Sequence, residues 1–452
     1  MPRLPLWMWA TILLLAIVGG VLRGVAVEQT EIDHPIRADA AEYYLSAYNL
    51  TKNGVYTMSP ARLRDQNAEL KPDGFRWPGL PLLIAALMWQ WPDHALILRE
   101  MQWFNVAAGF AAIVFVGFAS ATALPAWAAV AATALTTFSP HLISFTVYML
   151  TETPTTLLVA LMLALCAVAQ SCAPRRRWLA FLALGVTLGA LALVRPLFAA
   201  FAPFLAIAAP AGERLRCLGL AALGLAAMLA PWLIRNALFV ESGSGPSDLG
   251  MTMLYGAYPD YMLNGDPATF PYAAMQDPAA VAAMSSLSDS LALIGKRIAA
   301  DPFGSAYWYF VGKPQYLWQF SNIDGVGDVF IYPAVRTPFQ DDGVFVATHD
   351  LAQALQWPIV ILAALGALLA WLPRTAALLP DRGRFVLRAA ILLPVFMTVA
   401  TIPLNAPGRF AVPVYPALFI AAATTLAVAV RAYGSLRKSH QSCAADLPPN
   451  EA

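Results

Sequence analysis

Charged residues are scarce in this chain, and their scarcity excludes an ordinary soluble protein. Of the 452 residues, 12% are charged and 59% are hydrophobic, whereas about a quarter of the residues of a soluble domain are charged. The mean hydropathy of +0.61 points the same way. We therefore expect a protein of the lipid bilayer. The 35 prolines and 28 glycines suit a polytopic membrane protein with broken helices.

Several kinds of functional site are missing from the sequence. The formal net charge is +1 and no basic patch is interleaved with aromatic residues, so we expect no nucleic-acid partner. The four cysteines form no CxxC pair, and we expect neither a disulfide nor a thiolate metal site. A glycine-rich phosphate loop, an HExxH motif and an internal repeat are also absent. These absences weaken a nucleotide-driven enzyme and a transporter built from two related halves.

Apolar runs of about 20 residues, the length that crosses a bilayer, predict membrane helices along most of the chain. We place them at about 6–27, 77–91, 99–119, 124–138, 153–170, 178–194, 196–211, 216–239, 351–372, 385–404 and 409–431. The apolar stretch His141–Leu150 is too short to span unaided, and we predict a short or re-entrant helix there. The sequence therefore predicts an all-α polytopic membrane protein with about twelve membrane helices.

Lysine and arginine residues in the short loops predict the orientation of the chain. The cationic residues of these loops and of the C-terminal tail all fall on one side, which we take as cytoplasmic together with both termini: Arg175–Arg177, Arg214, Arg216, Arg374, Arg382, Arg384, Arg431, Arg437 and Lys438. We expect an N-terminal membrane module over 1–240, with a first outer loop over 28–76. An outer loop over 241–350, membrane helices over 351–431 and a cytoplasmic tail over 432–452 complete the predicted organisation.

Two Asp-Pro pairs predict helix starts within the second outer loop. Asp277-Pro278 precedes an amphipathic run that extends to Ile298, and Asp301-Pro302 precedes a run to Gln319 that is rich in tyrosine and tryptophan. Aspartate is a favoured N-cap residue, and proline is favoured at the first helical position. The density of aromatic residues predicts juxtamembrane helices that lie on the outer membrane surface.

Acidic residues at the predicted outer ends of helices are the first candidates for catalysis. Asp39 and Glu42 lie three residues apart and share one face of a helix. Glu152 has apolar flanks and no lysine or arginine within two turns. A carboxylate at the centre of a membrane helix costs about 2.5–3.5 kcal/mol, so functional carboxylates settle at the edges or in wet cavities. The alternative for Glu152 is an ordinary first-turn acid, stabilised by the helix dipole and water.

Three lone arginines lie at predicted outer helix ends, where the positive-inside bias disfavours them. They are Arg195, Arg235 and Arg409. Binding of an anionic ligand would explain why all three arginines lie there, because guanidinium binds phosphate in a bidentate manner. The alternative is snorkelling, or a structural pair with a carboxylate such as Glu152. Further candidates of the same kind are Arg37, Arg76 and Lys313.

These motifs, in this order, resemble those of membrane glycosyltransferases with the GT-C fold. The segments that carry the resemblance are Arg37-Ala38-Asp39, Glu42-Tyr43, Gly54-Val55-Tyr56, Arg76-Trp77-Pro78-Gly79, Ser139-Pro140, Thr151-Glu152-Thr153-Pro154, Pro231–Asn236, Pro302–Trp318 with Lys313, and Arg409-Phe410. The most similar group contains the bacterial relatives of dolichyl-phosphate-mannose protein mannosyltransferases and the lipid A aminoarabinose transferases. Many relatives have adjacent Asp-Glu in the first outer loop, whereas here Ala40-Ala41 separates Asp39 from Glu42.

The resemblance implies transfer of a sugar from a polyprenyl-phosphate donor to an acceptor at the outer face of a bacterial inner membrane. Asp39 corresponds to the family's acid in the first outer loop, as a general base or as a group that positions the acceptor. Glu152 corresponds to the second acid, and Glu42 completes the candidate catalytic set. Asp39 and Glu152 are also the candidate ligands of a divalent metal cation. The expected partners are the lipid-linked donor, a lipid, glycan or protein acceptor, and membrane lipids.

Two other functions are compatible with the same residues. A transporter or flippase of anionic lipids would use the arginines to line a path, although it explains neither the large outer loops nor the absence of charged relays within the helices. A ligase or polymerase of surface polysaccharides would take an oligosaccharide from a pyrophosphate carrier. The chain length of the product separates this last function from transfer of a single sugar.

Overall fold

Long apolar helices dominate the computed structural model of the chain, which describes residues 4–90, 96–240, 248–259, 273–322, 328–372 and 380–445. The helices of the first half are α1 (Leu6–Gln29), α2 (Asp39–Asn53), α3 (Ala61–Arg64), α4 (Gly79–Gln90), α5 (Ile97–Ala123), α6 (Ala126–Phe138), α7 (Pro140–Ser144), α8 (Glu152–Ser171), α9 (Arg177–Val194), α10 (Ala202–Ala208) and α11 (Arg214–Phe239). Those of the second half are α12 (Asp248–Gly256), α13 (Pro278–Ala283), α14 (Leu287–Ala300), α15 (Pro302–Tyr307), α16 (Lys313–Trp318), α17 (Pro338–Asp341), α18 (Gly343–Leu369), α19 (Arg384–Thr401) and α20 (Tyr415–Ala445). Arg374, one of the cationic loop residues, lies outside the described residues.

Shorter helical turns and one pair of strands connect these helices. The 3₁₀ turns are Phe145–Val147, Pro196–Phe201, Ala211–Glu213, Ala273–Gln276, Asp381–Gly383, Gly408–Phe410 and Val412–Val414, and Trp308–Gly312 is a π-helix. The strands are β1 (Glu31–Ile32) and β2 (Ala334–Arg336).

Eight helices in the described part of the chain are long and apolar enough to cross a membrane, which confirms the predicted polytopic all-α class. The bent pair Ala126–Phe138 and Pro140–Val147 is a broken span or a re-entrant loop, and it raises the number to nine. Gly79–Gln90 and Pro196–Ala208 are apolar but shorter. The total of about twelve membrane helices stays a prediction.

The break between α6 and α7 depends on a proline and on a buried arginine that the sequence analysis missed. Ser139 accepts a hydrogen bond from the Leu142 N–H, and Pro140 occupies the first position of α7. Arg23, in the membrane helix α1, is 2% exposed and donates to the carbonyl groups of Thr136 and Thr137 at the end of α6. A cation at this helix end pairs with carbonyls that lack partners within the helix.

The two segments that are predicted to face outward, called outer segments here, are joined by a short antiparallel strand pair that was not predicted from the sequence. Strand β1 follows α1 directly, and it pairs with β2 of the second outer segment. Next to this pair, the Tyr332 hydroxyl donates to the carbonyl of Arg37 at 3.0 Å, and the Arg37 guanidinium lies 4.7 Å from the Tyr332 ring centroid. The contacts hold the chain that leads into α2 against the second outer segment.

The predicted helix starts in the second outer segment are confirmed, with one additional break. Asp277 accepts a hydrogen bond from Ala279 N–H at the start of α13, and Asp301 accepts one from Gly304 N–H at the start of α15. The predicted amphipathic run to Ile298 is two helices instead of one. Ser286 caps the second of them, α14, by accepting from the Asp289 N–H.

Helices α8 and α9 define the two ends of the helical assembly. They pack against each other and are joined by a short connection between Ser171 and Arg177. Glu152 at the start of α8 therefore lies at the same end as Arg195, which follows α9. At 1.5 Å per residue, the 20 residues of α8 separate this end from the Ser171–Arg177 connection by about 30 Å.

Candidate active site

A cavity of about 430 Å³ lies at the Glu152 end of the assembly. It is bounded by the start of α2, the chain before α4, the end of α9 with the following 3₁₀ turn, and the segment after α19. The charged residues that line it are Asp39, Arg76, Glu152, Arg195 and Arg409. Much of the remaining wall is apolar, with Phe75, Trp77, Leu150, Val194, Leu197, Phe198, Met397, Leu404 and Phe410. A volume of this size is typical of small-molecule sites.

Asp39 is the first residue of α2 and is held by two arginines from distant parts of the chain. Its Oδ1 accepts from Arg76 Nη2 at 2.7 Å, and its Oδ2 accepts from Arg409 Nη2 at 2.7 Å. Ala38, which precedes it, has φ 46° and ψ −126°. This conformation is unfavourable for an alanine, and backbone strain of this kind costs about 1–3 kcal/mol and clusters at functional sites. The strained residue sets the direction in which α2 presents Asp39.

The two acids of α2 have opposite pKa shifts. Burial opposes ionisation of Asp39, but the charges of Arg409 and Arg76 outweigh it and hold the pKa of Asp39 well below its usual range. Glu42 accepts a hydrogen bond from Arg76 Nε at 2.5 Å, yet burial dominates and raises its pKa. The arginines therefore favour the ionised form of Asp39 most strongly, and Glu42 contacts Arg76 outside the described cavity lining.

Glu152 and Arg195 form a second, more deeply buried ion pair in the cavity wall. Glu152 Oε1 accepts from Arg195 Nη2 at 2.5 Å, and Arg195 Nε donates to Thr151 Oγ1 at 2.9 Å. The guanidinium also lies 5.3 Å from the ring centroid of Phe410. Side-chain exposure is 2% for Glu152 and 14% for Arg195. The structural pairing considered for Glu152 thus occurs within the cavity itself.

Arg409 reaches the cavity from a segment that Lys313 holds in place. Lys313 is 1% exposed, and its Nζ donates to the carbonyl groups of Ile402 and Leu404 at 2.6 and 2.8 Å, just beyond the end of α19. Burial lowers the pKa of Lys313 to about 7, while the carbonyl dipoles and the face of Tyr309 at 4.0 Å favour its charged form. Lys313 contacts the backbone next to the cavity, and it is not among the described residues that line it.

Arg235 has a similar backbone role in the first outer loop. It donates to the carbonyl groups of Asp73 at 2.5 Å and Tyr56 at 2.9 Å. The Asp73 carboxylate in turn accepts from Thr57 Oγ1 at 2.8 Å, and the Tyr56 hydroxyl donates to the Arg76 carbonyl at 2.9 Å. Arg235 therefore fixes the loop from which Arg76 enters the cavity, and the described lining does not include it.

Comparison with solved structures identifies the architecture of this chain. No family model and no curated protein matches the sequence. The structure of oligosaccharyltransferase AglB from Archaeoglobus fulgidus, in complex with an inhibitory peptide and a dolichol-phosphate, aligns over 99% of this chain and 52% of its own, with a TM-score of 0.50 and 14% identity. A second structure from that organism, an oligosaccharyltransferase tethered to an acceptor peptide, aligns over 94% of this chain and 49% of its own, with a TM-score of 0.49 and 13% identity.

ArnT from Cupriavidus metallidurans, bound to undecaprenyl phosphate, aligns over 98% of this chain and 81% of its own, with a TM-score of 0.39 and 13% identity. This chain spans about half the length of the archaeal proteins. The almost complete coverage of this chain by the AglB alignment decides the architecture. The chain has the GT-C fold.

Within this GT-C fold, the sequence-predicted candidates divide into two groups. Asp39, Arg76, Glu152, Arg195 and Arg409 line one cavity, whereas four further candidates support it from outside the described lining: Arg37, Glu42, Arg235 and Lys313. The sequence analysis did not single out three polar residues that matter here, namely Tyr43 and Asn405 in the wall and Asp73 in the loop beneath Arg76. A lone acid before Gly74 in an outer loop was the available signal for Asp73. Tyr43 entered the sequence analysis only beside Glu42 in the family resemblance, and nothing in the local sequence distinguishes Asn405.

The acids of this GT-C cavity, as they are placed, do not fit a divalent metal cation. Both oxygens of Asp39 accept from arginines, and Glu152 Oε1 accepts from a third arginine. In the ranges that the structure describes, no three His, Cys, Asp or Glu residues are grouped closely enough to hold a metal ion. The candidate ligands Asp39 and Glu152 stay a prediction, and no step below depends on a metal.

Proposed function

We propose that this protein transfers a glycosyl group from a polyprenyl-phosphate donor to a hydroxyl acceptor, with Asp39 as the general base. The observation that carries the proposal is the convergence of Asp39 with Arg76, Arg195 and Arg409 in one cavity at an end of the membrane helices. Guanidinium groups suit a phosphate, and a carboxylate suits the proton of an acceptor. The AglB structure with the same fold contains a dolichol-phosphate, which is the same chemical class as the proposed carrier.

In the proposed reaction the acceptor oxygen forms a bond to the anomeric carbon as the bond between that carbon and the phosphate oxygen breaks. The acceptor proton passes to the Asp39 carboxylate, and the polyprenyl phosphate leaves with the electron pair of the broken bond. The leaving phosphate gains negative charge, so arginines placed at its oxygens stabilise the transition state more than the ground state. A single displacement of this kind inverts the anomeric configuration.

The two arginines that donate hydrogen bonds to Asp39 couple donor binding to the basicity of Asp39. In the free protein, burial opposes ionisation of Asp39, but Arg409 and Arg76 hold its pKa well below the usual range, which makes it a weak base. A donor phosphate that engages these guanidinium groups competes with Asp39 for their charge. Binding of the donor thereby raises the basicity of Asp39 at the moment when a base is needed.

A transfer assay on the purified protein in lipid tests the proposal. Radiolabelled polyprenyl-phosphate sugars serve as donors, and an extract of the host envelope supplies acceptors. We expect label to move from the carrier to a new product, and Asp39→Asn to lower the rate by about 10²–10⁴-fold. The matched control is Asp381→Asn, an exposed acid paired with Arg384 near the opposite end, which should keep wild-type transfer.

The same assay distinguishes the two rival functions. Accumulation of labelled donor inside sealed vesicles, without a new glycosidic bond, would replace the proposal with transport. Transfer of an oligosaccharide from a pyrophosphate carrier alone would replace it with a polysaccharide ligase. Full transfer by Asp39→Asn would remove Asp39 from the role of base.

A further inference from the structure

The two acids of the cavity differ in how completely their oxygens are paired. Each oxygen of Asp39 accepts a hydrogen bond from an arginine. Of the two oxygens of Glu152, only Oε1 has such a partner. Glu152 Oε2 is buried and has no hydrogen-bond partner among the described residues, although Glu152 lines the cavity.

Hydrogen bonds on either side hold Glu152 in this orientation. Arg195 holds Oε1, and the same guanidinium is fixed through Nε by Thr151. The backbone of Glu152 is also fixed, because its carbonyl accepts from Thr156 Oγ1 at 2.8 Å in the first turn of α8. A buried carboxylate oxygen without a partner is costly, and few native groups stay so. A ligand in the cavity that donates a hydrogen bond would remove this cost.

The charge of the pair indicates which kind of donor the ligand offers. An ionised carboxylate only accepts hydrogen bonds, so the ligand group must be a hydrogen-bond donor, such as a hydroxyl, an amide N–H or an ammonium. Arg195 already balances the charge of Glu152, and its guanidinium lies within the same pair. An ammonium group at Oε2 would add an unbalanced positive charge beside a carboxylate that is 2% exposed, whereas a neutral hydroxyl would keep the pair neutral.

On the basis of the proposed transfer reaction, we propose that Glu152 Oε2 accepts a hydrogen bond from one hydroxyl group of the transferred sugar. Glu152 is then a specificity residue that selects a neutral sugar with a hydroxyl at that position. Sites built to bind a substrate hydroxyl discriminate strongly against analogues that lack it, because the polar group of the protein is left unpaired.

A series of deoxy donors tests this role. The parent is the labelled polyprenyl-phosphate sugar that the wild-type protein accepts, and each analogue lacks one hydroxyl of that sugar. We expect one analogue to lose about 10- to 100-fold in kcat/KM, the effect of one hydrogen bond to a charged group. In Glu152→Gln, the loss for that same analogue should shrink to a few-fold. A donor with a protonated amine in place of that hydroxyl should be as poor as the deoxy analogue.

Glu213→Gln is the matched control, since Glu213 is also paired with an arginine, Arg177, and is partly buried, but lies near the opposite end. It should leave the whole deoxy series unchanged. The inference is overturned if Glu152→Gln lowers kcat/KM for the parent and every analogue by the same factor, which is the result of a purely structural pair. It is also overturned if all deoxy analogues react like the parent. Failure of wild-type protein to use any donor overturns the proposed function, and this inference with it.

Discussion

The two ends of the membrane helices hold their charged residues in different ways. At the cavity, Asp39 and Arg409 are 370 residues apart in the chain, and Glu152 and Arg195 are 43 apart. Near the opposite end, two of the described pairs, Arg216–Glu213 and Arg384–Asp381, join residues only three apart. The Arg384–Asp381 pair is largely exposed, with side-chain exposures of 41% and 82%.

Pairs of the first kind, local and exposed, only stabilise the start of a helix. Pairs of the second kind, buried and between distant segments, form a site. A local, exposed pair contributes about 0–1 kcal/mol and needs only a helix start. A buried pair between distant segments carries a desolvation cost that hydrophobic residues of similar volume would avoid. Charges that persist at such a cost are candidates for chemistry. The comparison therefore favours the cavity end as the place where the protein acts.

The largest expected effect follows from removing an arginine at each end. Arg409→Ala removes a phosphate donor group and one of the two partners of Asp39, and we expect transfer to fall by about 10²–10³-fold. Arg384→Ala removes an exposed partner of Asp381 and should change the rate by less than about twofold. Initial rates of transfer by purified proteins in lipid measure both. Equal losses for the two variants would erase the functional distinction between the ends.

The buried pair at the cavity end and the partly buried pair near the opposite end should differ in their contribution to stability. Arg195→Met removes the partner of Glu152, whose side chain is 2% exposed, and we expect a loss of about 3–5 kcal/mol in the free energy of unfolding. Arg177→Met leaves Glu213 at 19% exposure, with Arg216 3.8 Å away, so we expect a smaller loss of about 1 kcal/mol. Denaturant titrations in detergent compare the two variants. A larger loss for Arg177→Met would contradict this ranking.

The two ends of α19 should respond differently to pH. At the cavity end, Lys313 binds carbonyls just beyond the helix, and near the other end Gln170 Oε1 accepts from the Phe385 N–H at 2.7 Å. Burial lowers the pKa of Lys313 from 10.5 to about 7, so between these pH values the unfolded chain binds a proton that the folded chain has released. Stability therefore rises with pH through this window.

Melting temperatures between pH 6 and pH 11 test this expectation. Wild-type protein should gain stability relative to Lys313→Met as the pH rises from about 7 to about 10.5. The difference between wild type and Gln170→Met should not change with pH, because an amide does not titrate. A constant difference for Lys313→Met as well would mean that Lys313 keeps its proton in the folded protein.

A smaller effect on transfer than that of Arg409→Ala is expected for Arg235, which supports the cavity through the loop backbone. Arg235→Ala frees the carbonyls of Tyr56 and Asp73, and we expect a loss of roughly tenfold in transfer because Arg76 is less well positioned. Arg235→Lys should recover part of the loss by donating to one carbonyl. A loss as large as that of Arg409→Ala would indicate a direct contact with the donor.

The sequence predicts residues of the candidate site only where the free-energy cost of placing a charge near the bilayer singles them out. Asp39, Glu152 and Arg409 were found because charges are expensive where a bilayer begins. The same rule selected Arg235 and Lys313, which bind backbone carbonyls instead of lining the cavity. The rule concerns the free-energy cost of placing a charge near the bilayer. It does not identify the group that binds the charge and offsets this cost. The same rule also applies to Arg23, which lies within the apolar helix α1 but was not selected, and the structure shows that its partners are carbonyls of α6.

The sequence by itself determined the membrane class, most of the long helices and the capped starts at Asp277 and Asp301. These features are local, since hydropathy and capping act over one helix or one turn. Only the tertiary structure decided which arginine binds Asp39, how β1 meets β2, and that Glu152 keeps one oxygen unpaired. These contacts depend on how distant helices pack against each other. Arg409 lies 370 residues from Asp39 in the chain, so the sequence around Asp39 does not indicate it as the partner.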